Sequence, residues 1–161
     1  MAVATGGRVR TATGTAVIAA LILVLAFGNP AYFDWAGHHT SNDAWGFFLR
    51  ELAWPNWSFS SDQSVRTILA DDLKAILLVV LTGLFVTVLA GSQLSRARGS
   101  LSQFLAGWGA YMFAGAVAGL IAAFVQINAS LLGAFQWAAA GAVYGLFVGW
   151  IIGLATFGAR R

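Results

Sequence analysis

From residue 99 to residue 159 the chain contains no Asp, Glu, Lys or Arg, a run of 61 residues. A water-soluble domain draws about a quarter of its residues from these four types, because its outer faces must be solvated. A run this long and this apolar is stable where the surrounding medium is hydrocarbon, and it is long enough to cross a bilayer core of ~30 Å twice. The whole chain shares the bias: of 161 residues, 59% are hydrophobic and 9% charged. Backbone N–H and C=O groups in hydrocarbon must be satisfied within the chain, which selects helices. The sequence therefore predicts an all-α integral membrane protein, one membrane domain over residues 1–161.

Four apolar spans are expected, at about 12–32, 73–90, 101–125 and 131–157. The first also has the features of a secretory signal: a basic start at Arg8 and Arg10, an apolar core over 16–27, and small residues Ala26 and Gly28 at cleavage-like spacing. The sequence does not decide between a cleaved signal in residues 1–28 and a first helix. With four spans, Arg8, Arg10, Arg96, Arg98, Arg160 and Arg161 fall on one side. All six acidic residues, Asp34, Asp43, Glu51, Asp62, Asp71 and Asp72, fall on the other. Basic residues flanking spans mark the cytoplasmic face, so both termini are expected inside and residues 29–72 outside, in the plasma membrane. Lys74 is expected to snorkel outward from the second helix, with Asp71 and Asp72 as solvated charges at its start.

Glycine recurs every fourth residue in the last span, at Gly141, Gly145, Gly149 and Gly153. In a soluble helix each would cost roughly 1 kcal/mol against alanine. Between helices in lipid, small residues permit the close backbone approach that drives association. The third span carries its own ladder, Ala106, Ala110, Ala114, Ala118 and Ala122, with Gly107, Gly115 and Gly119 near it. The two ladders, joined by a five-residue turn over 126–130, predict a tight antiparallel pair of the glycine-zipper kind.

Residues 29–72 hold most of the polar chemistry and are rich in aromatics. Asn42 or Asp43 can cap a helix with apolar positions Trp45, Phe48, Leu49 and Leu52, spaced i, i+3, i+4, i+7. This short amphipathic helix, ended by Pro55, is expected on the outer leaflet or over the bundle. A capping box from Ser60 to Gln63 is expected to start the next helix. Tryptophan and tyrosine favour the membrane interface, and tryptophan also anchors protein contacts. Trp45, Phe48, Leu52, Trp54 and Trp57 are thus the candidate partner-binding residues.

His38 and His39, with Asp34 and Asp43 four residues to either side, are weak candidates for a metal or pH-sensing site. Gly37 weakens the helix that would align them. There is no cysteine, so thiolate chemistry is absent. No nucleotide-binding loop, nucleophile elbow or His-Glu-x-x-His motif occurs. The expected function is a non-enzymatic accessory or assembly subunit without cofactor. Its expected partners are the lipid bilayer and another membrane protein or itself, not nucleic acid. A small oligomeric channel or permease-like transporter is the alternative, and a metal- or pH-sensing protein using the His pair is the third reading.

Overall fold

The computed structural model describes residues 3–59, 63–91, 100–126 and 130–158, with side chains from residue 12 onward apart from 90, 91 and 100. These residues form six helices and no strand. They are α1 (Val3–Phe27), α2 (Pro30–His39), α3 (Ala44–Leu52), α4 (Val65–Gly91), α5 (Ser100–Val125) and α6 (Leu131–Gly158). Three of them are long and apolar enough to cross a membrane: α4 over Val65–Leu89, α5 over Leu101–Val125 and α6 over Leu131–Gly158. The number rises to four if the bent pair of α1 and α2 is one span. The side chains of the six arginines that set the expected orientation, and the expected capping residue Ser60, lie outside the described residues.

The first expected span, 12–32, is not one straight helix. It breaks at Gly28-Asn29, and α2 leaves at 62° to α1. The cause is local. A residue before proline is pushed out of the helical region, and Asn29 is extended at φ −74°, ψ 153°. Its side chain then serves both helices. Oδ1 accepts from Tyr32 N–H at 2.9 Å to cap α2, while Nδ2 donates to the Ala26 carbonyl of α1 at 2.7 Å. Pro30 occupies the first turn of α2, where its missing N–H costs nothing.

The N-cap of α3 is Asp43, whose carboxylate accepts from Gly46 N–H at 2.7 Å. The chain turns back so tightly before α3 that a Cβ at Gly46 would overlap the Ser41 carbonyl. Arg50 closes this turn by donating to Thr40 Oγ1 at 2.8 Å and to the Ser41 carbonyl at 3.0 Å. Tyr32 of α2 donates to the Leu49 carbonyl at 3.0 Å. Further along, α4 is capped by Ser64, whose Oγ accepts from Thr67 N–H, and α6 by Ser130, whose Oγ accepts from Gly133 N–H.

The α5–α6 pair is the most closely packed in the bundle, and the glycines set its register. A Cβ at Gly141 would overlap the carbonyl of Gly115, and one at Gly119 would overlap the carbonyl of Trp137. Gly145 lies on the backbone of Met112, Gly149 on Trp108 and Gly153 on Phe104. As the α6 number rises the α5 number falls, so the helices run antiparallel. Among the α5 residues, Gly107, Gly115 and Gly119 meet α6 backbone or Thr156 directly. Ala110, Ala114 and Ala118 are fully buried in a cluster with Ala75 and Leu78 of α4, Ala16 and Ala20 of α1, and Tyr144, Val148 and Ile152 of α6. Cross-helix hydrogen bonds reinforce the seam, from Trp108 Nε1 to the Leu146 carbonyl (2.9 Å) and from Gln103 Nε2 to the Thr156 carbonyl (2.8 Å). α1 packs on α4, with Val17 over Gly83 and Thr13 bonded to Thr87 at 3.1 Å.

The short helix α3 does not perch over the end of the bundle. Phe47 meets Phe147 edge-on at 5.3 Å, and Trp54, just past α3, stacks on Tyr144 at 5.1 Å. Both partners lie near the middle of the 28-residue α6. The glycine face of α6 explains the depth, because a Cβ at Gly141 would come within 3.0 Å of the Trp54 ring. Replacing Gly145 by Leu drives a side chain into the α5 backbone, a misfit that costs about 1–3 kcal/mol or more. Gly109→Leu, at a position with nothing within 4 Å of an added Cβ, is the matched control. Thermal unfolding in detergent is expected to show a large loss for the first variant and little change for the second.

Candidate functional site

The described residues concentrate their buried polar chemistry where the segment after α3 crosses the start of α4. Pro55 cannot continue a helix, and Ala53 and Trp54 N–H groups close α3 on the Arg50 and Glu51 carbonyls at 3.1 and 2.9 Å. The chain then runs as an irregular strap, residues 53–59. Its partners are close. Trp57 N–H donates to the Gly28 carbonyl at 2.9 Å, and Trp57 Nε1 donates to the Val24 carbonyl at 3.1 Å. A Cβ at Gly28 would overlap the Pro55 carbonyl, so only glycine admits the strap there. Ser58 N–H donates to the Asp72 carboxylate at 3.2 Å.

Lys74 is the centre of the group. Its side chain does not snorkel outward. It turns inward, and the residue is 5% exposed. Nζ donates to Asn56 Oδ1 of the strap at 2.6 Å and pairs with Asp71 Oδ1, one turn back on α4, at 3.1 Å. Asn56 Nδ2 donates in turn to Asp71 Oδ2 at 3.3 Å, closing a triangle. The ammonium also faces two indoles, Trp54 at 5.3 Å and Trp137 of α6 at 5.4 Å. Each such cation–π contact is worth about 0.5–2 kcal/mol, more where water is excluded. The expected picture of solvated charges therefore fails at Asp71 and Lys74, both buried. An ion buried among rings recovers its lost hydration through a carboxylate, an amide oxygen and two π faces.

Beneath Trp54 lies a second polar pair. Tyr111 of α5 and Tyr144 of α6 share a hydrogen bond at 2.8 Å between their hydroxyls, and both residues are fully buried. Each phenol stands within a small-residue ladder, which gives it room. Glu51, on the last turn of α3, is half-buried, and loss of water raises its carboxyl pKa above the ordinary glutamate range.

The residues singled out in the sequence fall in different places. Of the five aromatic and apolar candidates, Trp45 is exposed and stacks on Phe48, which is partly buried. Leu52 is buried, and Trp54 and Trp57 are turned into the bundle by the contacts above. The histidines sit at the end of α2, which stops at His39, so His39 and Asp43 do not share a helix face. Nδ1 of His38 donates to the Asp34 carbonyl at 2.8 Å and Nδ1 of His39 to the Trp35 carbonyl at 3.2 Å. The Asp43 carboxylate is engaged as the α3 cap, which lowers its pKa. Among the described residues no three His, Cys, Asp or Glu side chains converge as a metal would need.

Neither the Lys74 triangle nor the tyrosine pair was expected from the sequence. A signal existed for the first, since a charge inside an apolar helix seeks a partner and Asp71 stands three residues before Lys74. For the second, a lone tyrosine beside each ladder was the only trace. Comparison with protein-family models, curated proteins and solved structures finds no match to this chain. The site is therefore read from its own chemistry.

Two consequences are measurable. Lys74→Met leaves Asp71 buried without its cation, a loss of about 3–5 kcal/mol, and Lys74→Met with Asp71→Leu restores most of it. Chemical unfolding of the three variants in detergent gives the comparison. Glu51 acts with the opposite sign. A carboxyl raised in the folded state destabilises it once ionised, so stability falls as pH rises from the ordinary glutamate value through the raised one. Glu51→Gln is expected to flatten that slope and to be the more stable protein at neutral pH, as melting curves from pH 4 to 8 will report.

Proposed function

We propose that this chain is a non-enzymatic accessory or assembly subunit of the plasma membrane. On this reading α1 forms the first of four spans, bending at Gly28-Asn29 into α2, both termini are cytoplasmic, and residues 29–72, with α2 and α3, face the outer side. Support for the orientation comes from the sequence, where six arginines flank one side and all six acids fall on the other. Support for the role comes from one observation: the segment around α3 presents large aromatic rings outward. Trp45 is 65% exposed and Phe59 81%, with Phe33 and Trp35 also open. On α4 the exposed row is aliphatic, Ile76, Val80, Leu84 and Val88, which suits lipid tails, while α5 and α6 mix aliphatic residues with rings such as Phe124 and Phe135. Exposed tryptophan and phenylalanine next to a rigid bundle suit docking against another membrane protein.

The channel reading draws less support. A path along the α5–α6 seam would have to pass where backbone already meets backbone at Gly115 and Gly141. The histidine-based sensor reading lacks converging ligands among the described residues.

The test is site-specific photocrosslinking in native membranes. A crosslinker at Trp45 is expected to give one discrete protein adduct, and one at Val80 to give lipid adducts alone. Trp45→Ala with Phe59→Ala is expected to abolish co-purification of that protein, while Phe124→Ala on the exposed side of α5 leaves it unchanged. A chain that purifies alone in gentle detergent, with crosslinks at Trp45 to lipid only, would overturn the proposal. An adduct of twice the chain mass would make the partner a second copy.

A further inference from the structure

The contacts of α3 set how deep it lies where α6 crosses the membrane. The Phe47 ring is 5.3 Å from the ring of Phe147. α6 runs from Leu131 to Gly158, 28 residues, or about 42 Å at helical rise. A hydrocarbon core is ~30 Å thick, which leaves about 12 Å of helix for the two ends together. Phe147 stands about 24 Å along α6 from Leu131 and about 17 Å from Gly158. With the whole excess placed at one end, Phe147 is still about 12 Å inside the hydrocarbon from the Leu131 side or about 5 Å from the Gly158 side. Tilting α6 shortens the excess and raises both values. The neighbouring helix agrees: Gly145 lies on Met112 and Gly149 on Trp108, so Phe147 is level with the middle of α5, Ser100–Val125. A ring 5.3 Å away shares that medium.

The side chains of α3 suit this position. Its exposed residues are Ala44, Trp45 and Phe47, while Arg50 and Glu51 are half-buried. A helix lying over water shows polar residues on its outer face; this one shows rings. Arg50 turns its guanidinium back to Thr40 and Ser41 in the polar turn before α3, as a cation reaching out of hydrocarbon does. That turn carries exposed His38, His39, Asn42 and Asp43 and belongs at the headgroups. Asp43 precedes Phe47 by one helical turn, about 6 Å, so α3 slants from the headgroups into the hydrocarbon. After α3 the chain returns to the level it left, where Trp57 N–H meets the Gly28 carbonyl and Ser58 N–H meets Asp72.

We propose that α3 is sunk in the hydrocarbon layer, and that the partner docking on Trp45 is a transmembrane helix met inside the membrane. A ring at this depth is reached sideways through lipid, where a water-soluble domain has no access. The indole N–H of Trp45 has no acceptor among the described residues. Lipid tails offer it none, whereas hydroxyl and amide side chains of a neighbouring helix do. The choice of partner rests on the accessory-subunit reading; the depth of α3 does not.

The absence of cysteine from the chain permits single nitroxide labels on the full-length protein in phosphatidylcholine vesicles. Phe47→Cys is compared with Phe147→Cys on α6, Leu84→Cys on the exposed row of α4 and Gln63→Cys at an exposed position before α4. Phe48→Cys, which leaves Phe47 on Phe147, repeats the measurement. Relative access of oxygen and of a water-soluble nickel chelate reads the depth. Labels at 47 and 147 are expected to agree within about one helical pitch, 5.4 Å. Both are expected to favour oxygen as 84 does, while 63 favours nickel. A photocrosslinker at 45 in native membranes is expected to give an adduct whose partner peptide comes from an apolar span. Nickel access at 47 and 48 equal to that at 63 overturns the placement, and the accessory-subunit reading stands if the adduct still forms. Labels at depth with lipid adducts alone overturn the transmembrane partner together with that reading. A partner peptide from a water-soluble domain overturns the transmembrane partner and leaves the reading in place.

Discussion

A carbonyl of one helix stands where a Cβ of its neighbour would be, at Gly115 and Gly141. The rest of the bundle follows from that contact. In a hydrocarbon medium, side-chain burial gives helices no preference for one another over lipid, so attraction has to come from close backbone packing and hydrogen bonds. Glycine on both sides permits the approach, and the indole of Trp108 and the amide of Gln103 then reach carbonyls across the seam. The same lack of side chains at Gly141 leaves a ring-sized space on the neighbouring face of α6, and Trp54 fills it. One residue type therefore makes the helix pair and the seat for a segment that comes from far along the chain.

The inward lysine shows which of two electrostatic effects wins near the end of a helix. Hydration of an ammonium is worth far more than any single contact it makes in the protein, so snorkelling is the ordinary outcome for a lysine near water. Here the inward position offers several contacts together: a carboxylate at 3.1 Å, an amide oxygen at 2.6 Å and two ring faces. No one of these suffices. The arrangement holds only while all four groups are in place, and they come from three different segments: Asp71 from α4, Trp137 from α6, and Asn56 and Trp54 from the strap. A buried pair of this kind adds little net stability over an apolar filling; what it does here is specify where the strap must sit.

Much of the helical framework was legible in the sequence because its causes are local or periodic. The charge-free run, the glycine spacing and the cap at Asp43 each act within a few turns of chain, and α4, α5 and α6 lie where the apolar runs place them. The kink between α1 and α2 was legible in principle too, since Asn29-Pro30 carries its physical reason in two residues, yet the apolar content on both sides masked it. The polar centre was not legible. Lys74, Asn56 and Trp137 are far apart in sequence, and nothing in the composition of any one segment indicates that the other two will meet it. The alanine ladder of α5 shows a subtler limit. Its spacing matched that of the α6 glycines, but spacing alone does not show how small residues divide their work: the glycines of α5 meet α6 backbone or Thr156, while Ala110, Ala114 and Ala118 lie in a buried cluster shared by α1, α4 and α6.

The tryptophans around α3 carry the same lesson into function. In composition Trp45, Trp54 and Trp57 are one aromatic signal, and an interfacial belt accounts for all three equally. In the structure they divide. At about 100° per residue, positions 45 and 54 point to opposite sides of a helical path, so a segment that seats Trp54 on Tyr144 must turn Trp45 away from the bundle. Trp57 then ties the strap to the last turn of α1 through the Val24 carbonyl. The exposed ring and the inward ring thus lie at the two ends of α3 and the segment that follows it, and α3 rests on the middle of α6 through Phe47.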